Sequence, residues 1–141
     1  MKYLGYVIVL LFLSSCGTTG HIKFYNFNGS KYEVEKEIIK IINKDSVYVV
    51  PEKWIEGTKV DYLERFYVYF KSKPEEIYQI GFTDSASWKY SPVCRLGIVS
   101  QFNGDSWKYE SELNNKEIER ITKRFEEAIL SKIKYNYYKS D

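Results

Sequence analysis

Histidine and cysteine are scarce in this chain, which has one histidine and two cysteines among its 141 residues. Zinc sites and catalytic triads are built largely from these residue types, so a His/Cys metal site and a Ser-His-Asp or Cys-His triad are not expected. The sequence also has no glycine-rich phosphate-binding loop and no dinucleotide fingerprint. We therefore expect no metal, no cofactor and no enzymatic activity.

The composition excludes two broad classes of protein. The formal net charge is only +2, which speaks against a strongly basic nucleic-acid-binding protein. Hydrophobic residues make up 44% of the chain and aromatic residues 18%, too many for a disordered protein. A chain of this length can bury one hydrophobic core. We predict one folded domain and no nucleic-acid partner, and the oligomeric state stays open.

The N-terminus lacks charge altogether between Tyr3 and Gly20. Lys2 precedes an apolar run from Leu4 to Leu13, which as a helix would span about 15 Å, half of a hydrocarbon core of about 30 Å. That run is too short for a comfortable membrane span and has the length of the apolar region of a signal peptide. Small residues follow it at once, as they do before a signal-peptide cleavage site.

The order Leu13-Ser14-Ser15-Cys16 resembles the lipobox of bacterial lipoproteins. The resemblance implies cleavage before Cys16 and lipidation of that cysteine, with residues 1–15 as signal peptide and 16–21 as lipidated cysteine and tether. Position 17 is Gly rather than Asp, which by the same resemblance implies the outer membrane, facing the periplasm. The alternative is an ordinary signal peptide with an incidental cysteine. Residues 22–141 resemble small envelope lipoproteins only in general appearance.

Two amphipathic helices are predicted, one near each end of the domain. Ser30 and Glu33 have the spacing of a capping box, and an apolar face follows over residues 31–44. Asn114 and Glu117 repeat this signal before the last helix. Lysines recur every fourth residue from position 36 to 44 on the first helix, opposite its apolar face. They are interpreted as a solvated face, with contact to anionic lipid as the alternative.

Alternating apolar residues predict strands between these helices. Residues 64–71 and 76–83 form one predicted hairpin, and residues 95–102 and 106–113 form another around Asn103-Gly104-Asp105. Residues 21–27 alternate weakly, 46–50 are a β-branched run, and 135–138 fit either a fraying helix or an extended strap. We predict an α+β two-layer sandwich, with an antiparallel meander of about four strands covered on one face by both helices.

The alternation also divides the side chains between the two faces of the sheet. One face is expected to meet the helices and the other to remain open. The predicted helix-covered face carries Phe66, Val68, Phe70, Tyr78, Ile80, Phe82, Leu96, Ile98, Phe102 and Trp107. The predicted open face carries Tyr67, Tyr69, Gln79, Gly81, Arg95, Val99, Gln101, Lys108 and Glu110.

The candidate binding surface combines this open face with aromatic residues in predicted loops. Its members are Tyr67, Tyr69, Gln79, Arg95, Gln101, Trp54, Trp88 and Tyr90. Tyrosine, tryptophan and arginine are enriched at binding hot spots, so this surface would suit a partner protein or a glycan. The alternatives are a solvated sheet face and loop aromatics that fold back onto the core.

Three further hypotheses remain. In one, the protein is a structural accessory subunit of an outer-membrane complex, with its tail from Tyr135 added to a neighbour's sheet. In another, Glu110 and Glu112 share a strand face and act as the carboxylates of a hydrolase. Cys94 is expected to be a small buried residue at a strand start, or alternatively a thiol activated by Arg95.

Overall fold

The computed structural model describes residues 20–58, 65–83 and 91–140. Cys16, Trp88 and Tyr90 lie outside these ranges, as do the predicted signal peptide and most of the tether. The described elements are β1 (Lys23–Phe27), α1 (Lys31–Lys44), β2 (Arg65–Phe70), β3 (Glu76–Phe82), β4 (Cys94–Phe102), β5 (Trp107–Lys108), α2 (Asn115–Ala128) and β6 (Tyr137–Ser140). Short 3-10 helices occupy Ser46–Tyr48, Glu52–Thr58, Glu110–Glu112 and Leu130–Lys132.

The strands form one antiparallel sheet in the order β2-β3-β4-β1-β6, and β5 pairs with the end of β4. The α+β class and the antiparallel sheet are confirmed, but the residues that the structure describes form six strands rather than about four. The difference arises because β1 and β6 pair with segments distant in sequence. The tail from Tyr137 is thus a strand of the protein's own sheet, which answers the question that its sequence left open.

Both helices begin where the capping signals predict. The Ser30 hydroxyl accepts a hydrogen bond from the Glu33 N–H at 3.3 Å, and the Glu33 carboxylate accepts one from the Ser30 N–H at 3.1 Å. Asn114 and Glu117 make the same reciprocal pair, with both bonds at 3.0 Å. These bonds satisfy backbone donors that a helix leaves unpaired at its first turn, so the helix starts are fixed locally.

One hydrophobic cluster contains residues of both helices and of the sheet. Val34 and Ile38 of α1 and Ile121 and Phe125 of α2 are fully buried in it. The buried sheet residues of the same cluster are Tyr25, Phe27, Val68, Phe70, Tyr78, Ile80, Cys94, Leu96 and Ile98. Eight of the ten residues predicted on the helix-covered face belong to this cluster or pack against it, and Cys94 is a buried residue at the start of β4 as expected.

A β-bulge in β4 changes the face of every residue after it. Gln79 pairs with Ser100, whereas the next residue of β3, Ile80, pairs with Ile98, so Val99 is the extra residue. Because side chains alternate along a strand, one extra residue reverses the alternation beyond it. Paired residues on neighbouring strands point to the same face of the sheet. The face of a β4 residue after the bulge can therefore be determined from its partner on β3, but not from the alternation before the bulge.

Four face assignments are consequently wrong. Gln101 pairs with Tyr78 and therefore lies on the helix-covered face, whereas Phe102 pairs with Ile77 and lies on the other face. The two residues of β5 follow them, since Lys108 pairs with Gln101 and Trp107 with Phe102. The bulge explains all four errors. Phe102 and Trp107 were predicted on the helix-covered face, and Gln101 and Lys108 on the open face.

Two segments with strand-like sequences form 3-10 turns. The β-branched run that begins at Ser46 turns at once because the Asp45 carboxylate accepts a hydrogen bond from the Val47 N–H at 3.2 Å. The predicted strand over 106–113 stops after Lys108, and the Glu112 carboxylate accepts a bond from the Tyr109 N–H at 3.0 Å. In both places an acidic side chain accepts a backbone hydrogen bond from a residue two or three positions away, which gives the backbone a local alternative to sheet pairing.

No helix among the described residues has the length and apolar character needed to cross a membrane.

Candidate functional site

The second face of the sheet, opposite the residues of the core cluster, carries a chain of five aromatic rings. Tyr67 lies 5.9 Å from Trp107, which lies 5.2 Å from Phe102. Phe102 in turn lies 5.5 Å from Trp54, whose ring meets that of Tyr69 edge-on at 5.8 Å. Trp54 comes from the 3-10 helix Glu52–Thr58, which therefore lies over this face. The sequence-predicted residues Trp54, Tyr67 and Tyr69 do come together here.

The centre of the second face is buried, contrary to the prediction of an open, solvated surface. Tyr69 is 7% exposed and Gln79 is 8% exposed, and Ser100 is inaccessible. The Gln79 amide donates to the Tyr67 hydroxyl at 3.2 Å, and its carbonyl accepts from Ser100 at 2.9 Å and from Arg65 at 3.2 Å. Gln79 therefore acts within the fold and is not available to a ligand.

Arg95 and Gln101 lie apart from the aromatic rings. The Arg95 guanidinium stacks over the Phe24 ring at 4.0 Å and donates to the Ser140 hydroxyl at 2.9 Å, so it links β4 to β1 and β6. Gln101 is buried on the helix-covered face and donates to Glu76 at 2.9 Å. The eight predicted residues thus do not form one site, and Trp88 and Tyr90 lie outside the described residues.

An open groove runs along one edge of the aromatic rings, where Tyr69 meets Glu75 and Lys53. The Tyr69 hydroxyl donates to the Glu75 carboxylate at 2.5 Å, and the Lys53 ammonium donates to the same oxygen at 2.7 Å. Burial and, after it, the bond to Glu75 raise the pKa of Tyr69 to about 12. The hydrogen bond from Lys53, followed by that from Tyr69, holds the pKa of Glu75 below its usual value.

This groove consists of two adjoining cavities. The larger, of about 800 Å³, is lined on one side by the segment from Ser46 to Pro51 and on the other by the polar group just described together with Lys71. The smaller, of about 580 Å³, shares Val47, Tyr69 and Lys71 with it and continues to Arg124 and Ala128 of α2. We call the two cavities together the valine groove, after Val47, Val49 and Val50 in its wall.

The wall of the valine groove is apolar because of how the turn at Ser46–Tyr48 is held. The Tyr48 ring packs edge-on against Phe70 at 6.0 Å, and its hydroxyl meets the Lys132 ammonium at 3.1 Å. With Tyr48 fixed inward, its two neighbours point outward, and Val47 is 45% and Val49 51% exposed. Sequence reasoning missed this wall because a β-branched run is more typical of a buried strand.

Arg124, which lines the smaller cavity, binds a buried carboxylate that sequence reasoning also missed. Glu76 is 1% exposed, and it accepts hydrogen bonds from Arg120 at 2.9 and 2.5 Å and from Arg124 at 2.7 Å. Tyr78 and Gln101 each add a bond at 2.9 Å. Burial alone would raise the pKa of Glu76, but the bonds from Arg120 and Tyr78 hold it below its usual value.

Arg124 connects this buried carboxylate to the β2–β3 turn. Its guanidinium donates to the Pro74 carbonyl and to the Ser72 carbonyl, both at 2.6 Å, and it lies 4.9 Å from the centre of the Phe70 ring. The planar guanidinium group has several N–H donors in fixed positions, so one arginine can bind a carboxylate and two backbone carbonyls at once. The turn that carries Lys71 and Glu75 is therefore held against α2, which fixes one side of the valine groove.

Glu110 and Glu112, the carboxylates of the hydrolase hypothesis, lie in a 3-10 turn rather than on one face of a strand. Both are exposed, and Glu112 is occupied by the backbone hydrogen bond to Tyr109. Across residues 20–58, 65–83 and 91–140, no group of three His, Cys, Asp or Glu side chains is placed to hold a metal ion.

No protein-family model, curated protein or solved structure matches this chain. The geometry of the valine groove is therefore the basis for a functional proposal.

Proposed function

We propose that this protein is a membrane-anchored, non-enzymatic envelope lipoprotein whose domain binds a partner protein in the valine groove. The observation that carries the proposal is the pair of exposed valines, Val47 and Val49, held beside a cavity of about 800 Å³. Scattered apolar residues are normal on a protein surface, but a contiguous apolar wall beside a cavity is typical of an interaction site.

The charges around the groove indicate the character of the partner. Lys53 is paired with Glu75 and Arg124 with Glu76, so these cations are already balanced. Lys71 lines both cavities and its charge helps to lower the pKa of Glu75, but within the part of the chain that the structure describes no carboxylate lies at ion-pair distance from it. We propose an apolar segment with an acidic residue that reaches Lys71, because charge complementarity at the rim guides association.

A protein suits the groove better than a glycan, the other partner that the sequence left open. Sugars stack on the open face of an aromatic ring. The Lys53 ammonium covers one face of Trp54 at 4.4 Å, and Tyr69 and Phe102 meet the same residue edge-on. Trp54 is thereby held within the fold, whereas the valines offer the apolar surface that a peptide buries.

The sequence supports the anchor and the location in this proposal. The lipobox-like order before Cys16 would place a lipid on that residue, and Gly17 would direct the protein to the outer membrane, facing the periplasm. Several acyl chains anchor a protein stably, whereas a single chain does not. The proposal includes the two-layer arrangement, with both helices on one side of the sheet and the valine groove at one end of that layer.

Photo-crosslinking in native membranes tests the groove. A benzoylphenylalanine at Val49 should form an adduct with a protein partner, and the same group at the exposed Lys116 of α2 serves as the matched control. Protease digestion of the adduct distinguishes a protein from a glycan. Lys71→Glu should reduce the Val49 adduct several-fold by charge repulsion, whereas Lys123→Glu should not.

The result that contradicts the groove is equal labelling from Val49 and Lys116, or a Val49 adduct that Lys71→Glu leaves unchanged. Cys16→Ser tests the anchor in the same fractions. If Cys16 carries the lipid, this variant leaves the membrane fraction, and retention of the variant there rules the anchor out.

The accessory-subunit function stays a second candidate because of the outer edge of β6. Within the described residues β6 pairs with β1 alone, and Tyr138 on β6 is 62% exposed. An edge strand can add a strand from a neighbour. A crosslinker at Tyr138 that captures a partner, with none captured at Val49, would favour this candidate over the groove.

A further inference from the structure

A second cavity, of about 440 Å³, lies between the end of α1 and the segment that follows α2. Four lysines line it: Lys40 and Lys44 from α1, and Lys132 and Lys134 from beyond α2. The acidic residues in its lining are Glu37 and Asp45. Two separate elements thus bring four lysines to one cavity, where they outnumber the acidic residues by two.

Neither acidic residue balances all of this charge. The Asp45 carboxylate accepts the hydrogen bond from the Val47 N–H at 3.2 Å and so caps a turn. Glu37 lies 3.8 Å from Lys134. Of the described carboxylates, none lies within ion-pair distance of Lys40 or Lys44. Like charges one helical turn apart repel each other, so this pair of lysines weakens the helix slightly.

Helix electrostatics explain only part of this arrangement. Lysines near the end of a helix interact favourably with its unpaired carbonyl groups, which accounts for Lys44 and in part for Lys40. That effect does not account for Lys132, which another element supplies. The Lys132 ammonium is held in place by the Tyr48 hydroxyl at 3.1 Å and lies 4.9 Å from the centre of the Tyr48 ring.

We propose that this lysine cavity binds a phosphate-bearing anion. Lysine binds phosphate as a compact point charge, and a cavity of this size admits a phosphate with a small substituent. An anion placed between α1 and Lys132 would balance the charges of Lys40 and Lys44, which lie within ion-pair distance of no described carboxylate. The phosphate has two sources in an envelope, an anionic lipid headgroup and a soluble phosphate. The site adjoins the valine groove, because Lys132 contacts Tyr48 and Asp45 caps the turn in the groove wall, but phosphate binding by the lysines does not require the partner proposed for the groove.

An NMR titration of the full-length chain in an uncharged maltoside detergent tests the site. One arm adds inorganic phosphate, and the other adds short-chain phosphatidylglycerol, with zwitterionic phosphatidylcholine as its control. We expect saturable shifts of the signals of Lys40, Lys44 and Lys132 in at least one arm. Saturation with phosphatidylglycerol alone identifies a headgroup site, and saturation with inorganic phosphate identifies a site for soluble anions.

Two paired variants make the test specific. Lys40→Gln with Lys44→Gln should weaken binding about tenfold, because it removes two of the four charges at the cavity. Lys116→Gln with Lys123→Gln makes the same change in net charge at exposed positions on α2 outside the cavity, and it should leave binding unchanged. Absence of saturation in both arms, or equal weakening by the two double variants, would overturn the proposal.

Discussion

Glu75 and Glu76 are neighbours in the chain, but their carboxylates lie on opposite faces of the sheet. Glu76 is 1% exposed and accepts bonds from two arginines of α2, whereas the side chain of Glu75 is 35% exposed and is paired with Lys53. One glutamate holds α2 to the sheet, and the other forms part of the wall of the valine groove. The comparison separates residues that hold the fold from residues that are accessible to a partner.

The expected difference in stability between variants of Glu75 and Glu76 follows from the burial of Glu76 rather than from its number of contacts. A buried carboxylate has lost its hydration, so it depends on its arginine partners, and those partners depend on it. An exposed ion pair gains little, because water and salt screen it. We therefore expect substitution of Glu76 to change the free energy of unfolding more than substitution of Glu75 does.

The largest effect is expected from Glu76→Gln. Removal of the charge leaves Arg120 and Arg124 without their shared carboxylate, and we expect a loss of about 3 kcal/mol in the free energy of unfolding. That value is at the low end for a buried pair because Arg120 reaches solvent. Urea denaturation measures it. Glu75→Gln is the matched control, and a loss as large as that of Glu76→Gln would contradict the comparison.

A second effect concerns acid stability. The pKa of Glu76 is held below its usual value in the fold, so the unfolded chain takes up protons first as the pH falls. The stability that Glu76 contributes is therefore complete above its usual pKa and is lost as the pH falls towards its pKa in the folded protein.

The urea midpoint measured from neutral pH down through the carboxylate range tests this sign. We expect Glu76→Gln to flatten the acid side of the profile more than Glu75→Gln does. The pKa of Glu75 is also lowered, so its variant should change the profile in the same direction but less, since its carboxylate is more exposed. A profile of Glu76→Gln that keeps the full acid dependence would disagree with this account.

The smallest effect is local to the groove. Lys53→Met removes the largest cause of the lowered pKa of Glu75, so that pKa should rise towards its usual value. Carboxyl NMR titration reads both glutamates at once, and the pKa of Glu76 should not move. A shift of the Glu76 pKa in this variant would show that the two faces are coupled.

The structure also changes how the open-face hypothesis is tested. Replacement of Tyr69 by alanine would empty a buried position, because its ring packs on Trp54 and its hydroxyl bonds to Glu75. Arg95 bridges β4 to β6 through Ser140. A loss of binding on removing either residue would therefore not distinguish a binding role from damage to the fold. Val49 and Lys71 reach solvent and are better probes.

Local signals were sufficient for the helix starts and for the hairpin of β2 and β3. The capping pairs Ser30–Glu33 and Asn114–Glu117 lie three residues apart, so their hydrogen bonds form within one turn of chain. Gly104 is also a local signal, because its φ of +97° is favourable for glycine and marks the turn between β4 and β5. The apolar period of each helix then selected the face that is buried.

Non-local pairing decided what the sequence left open or predicted wrongly. The bulge at Val99 moved Gln101 and Phe102 to unexpected faces, and β1 provided the partner that made the tail a strand. Packing of α2 against the sheet brought Arg120 and Arg124 to Glu76, across 44 and 48 residues of sequence. Periodicity and capping act within a few residues and can be recognised in the sequence, whereas sheet register and charge burial depend on segments that meet only in the folded chain.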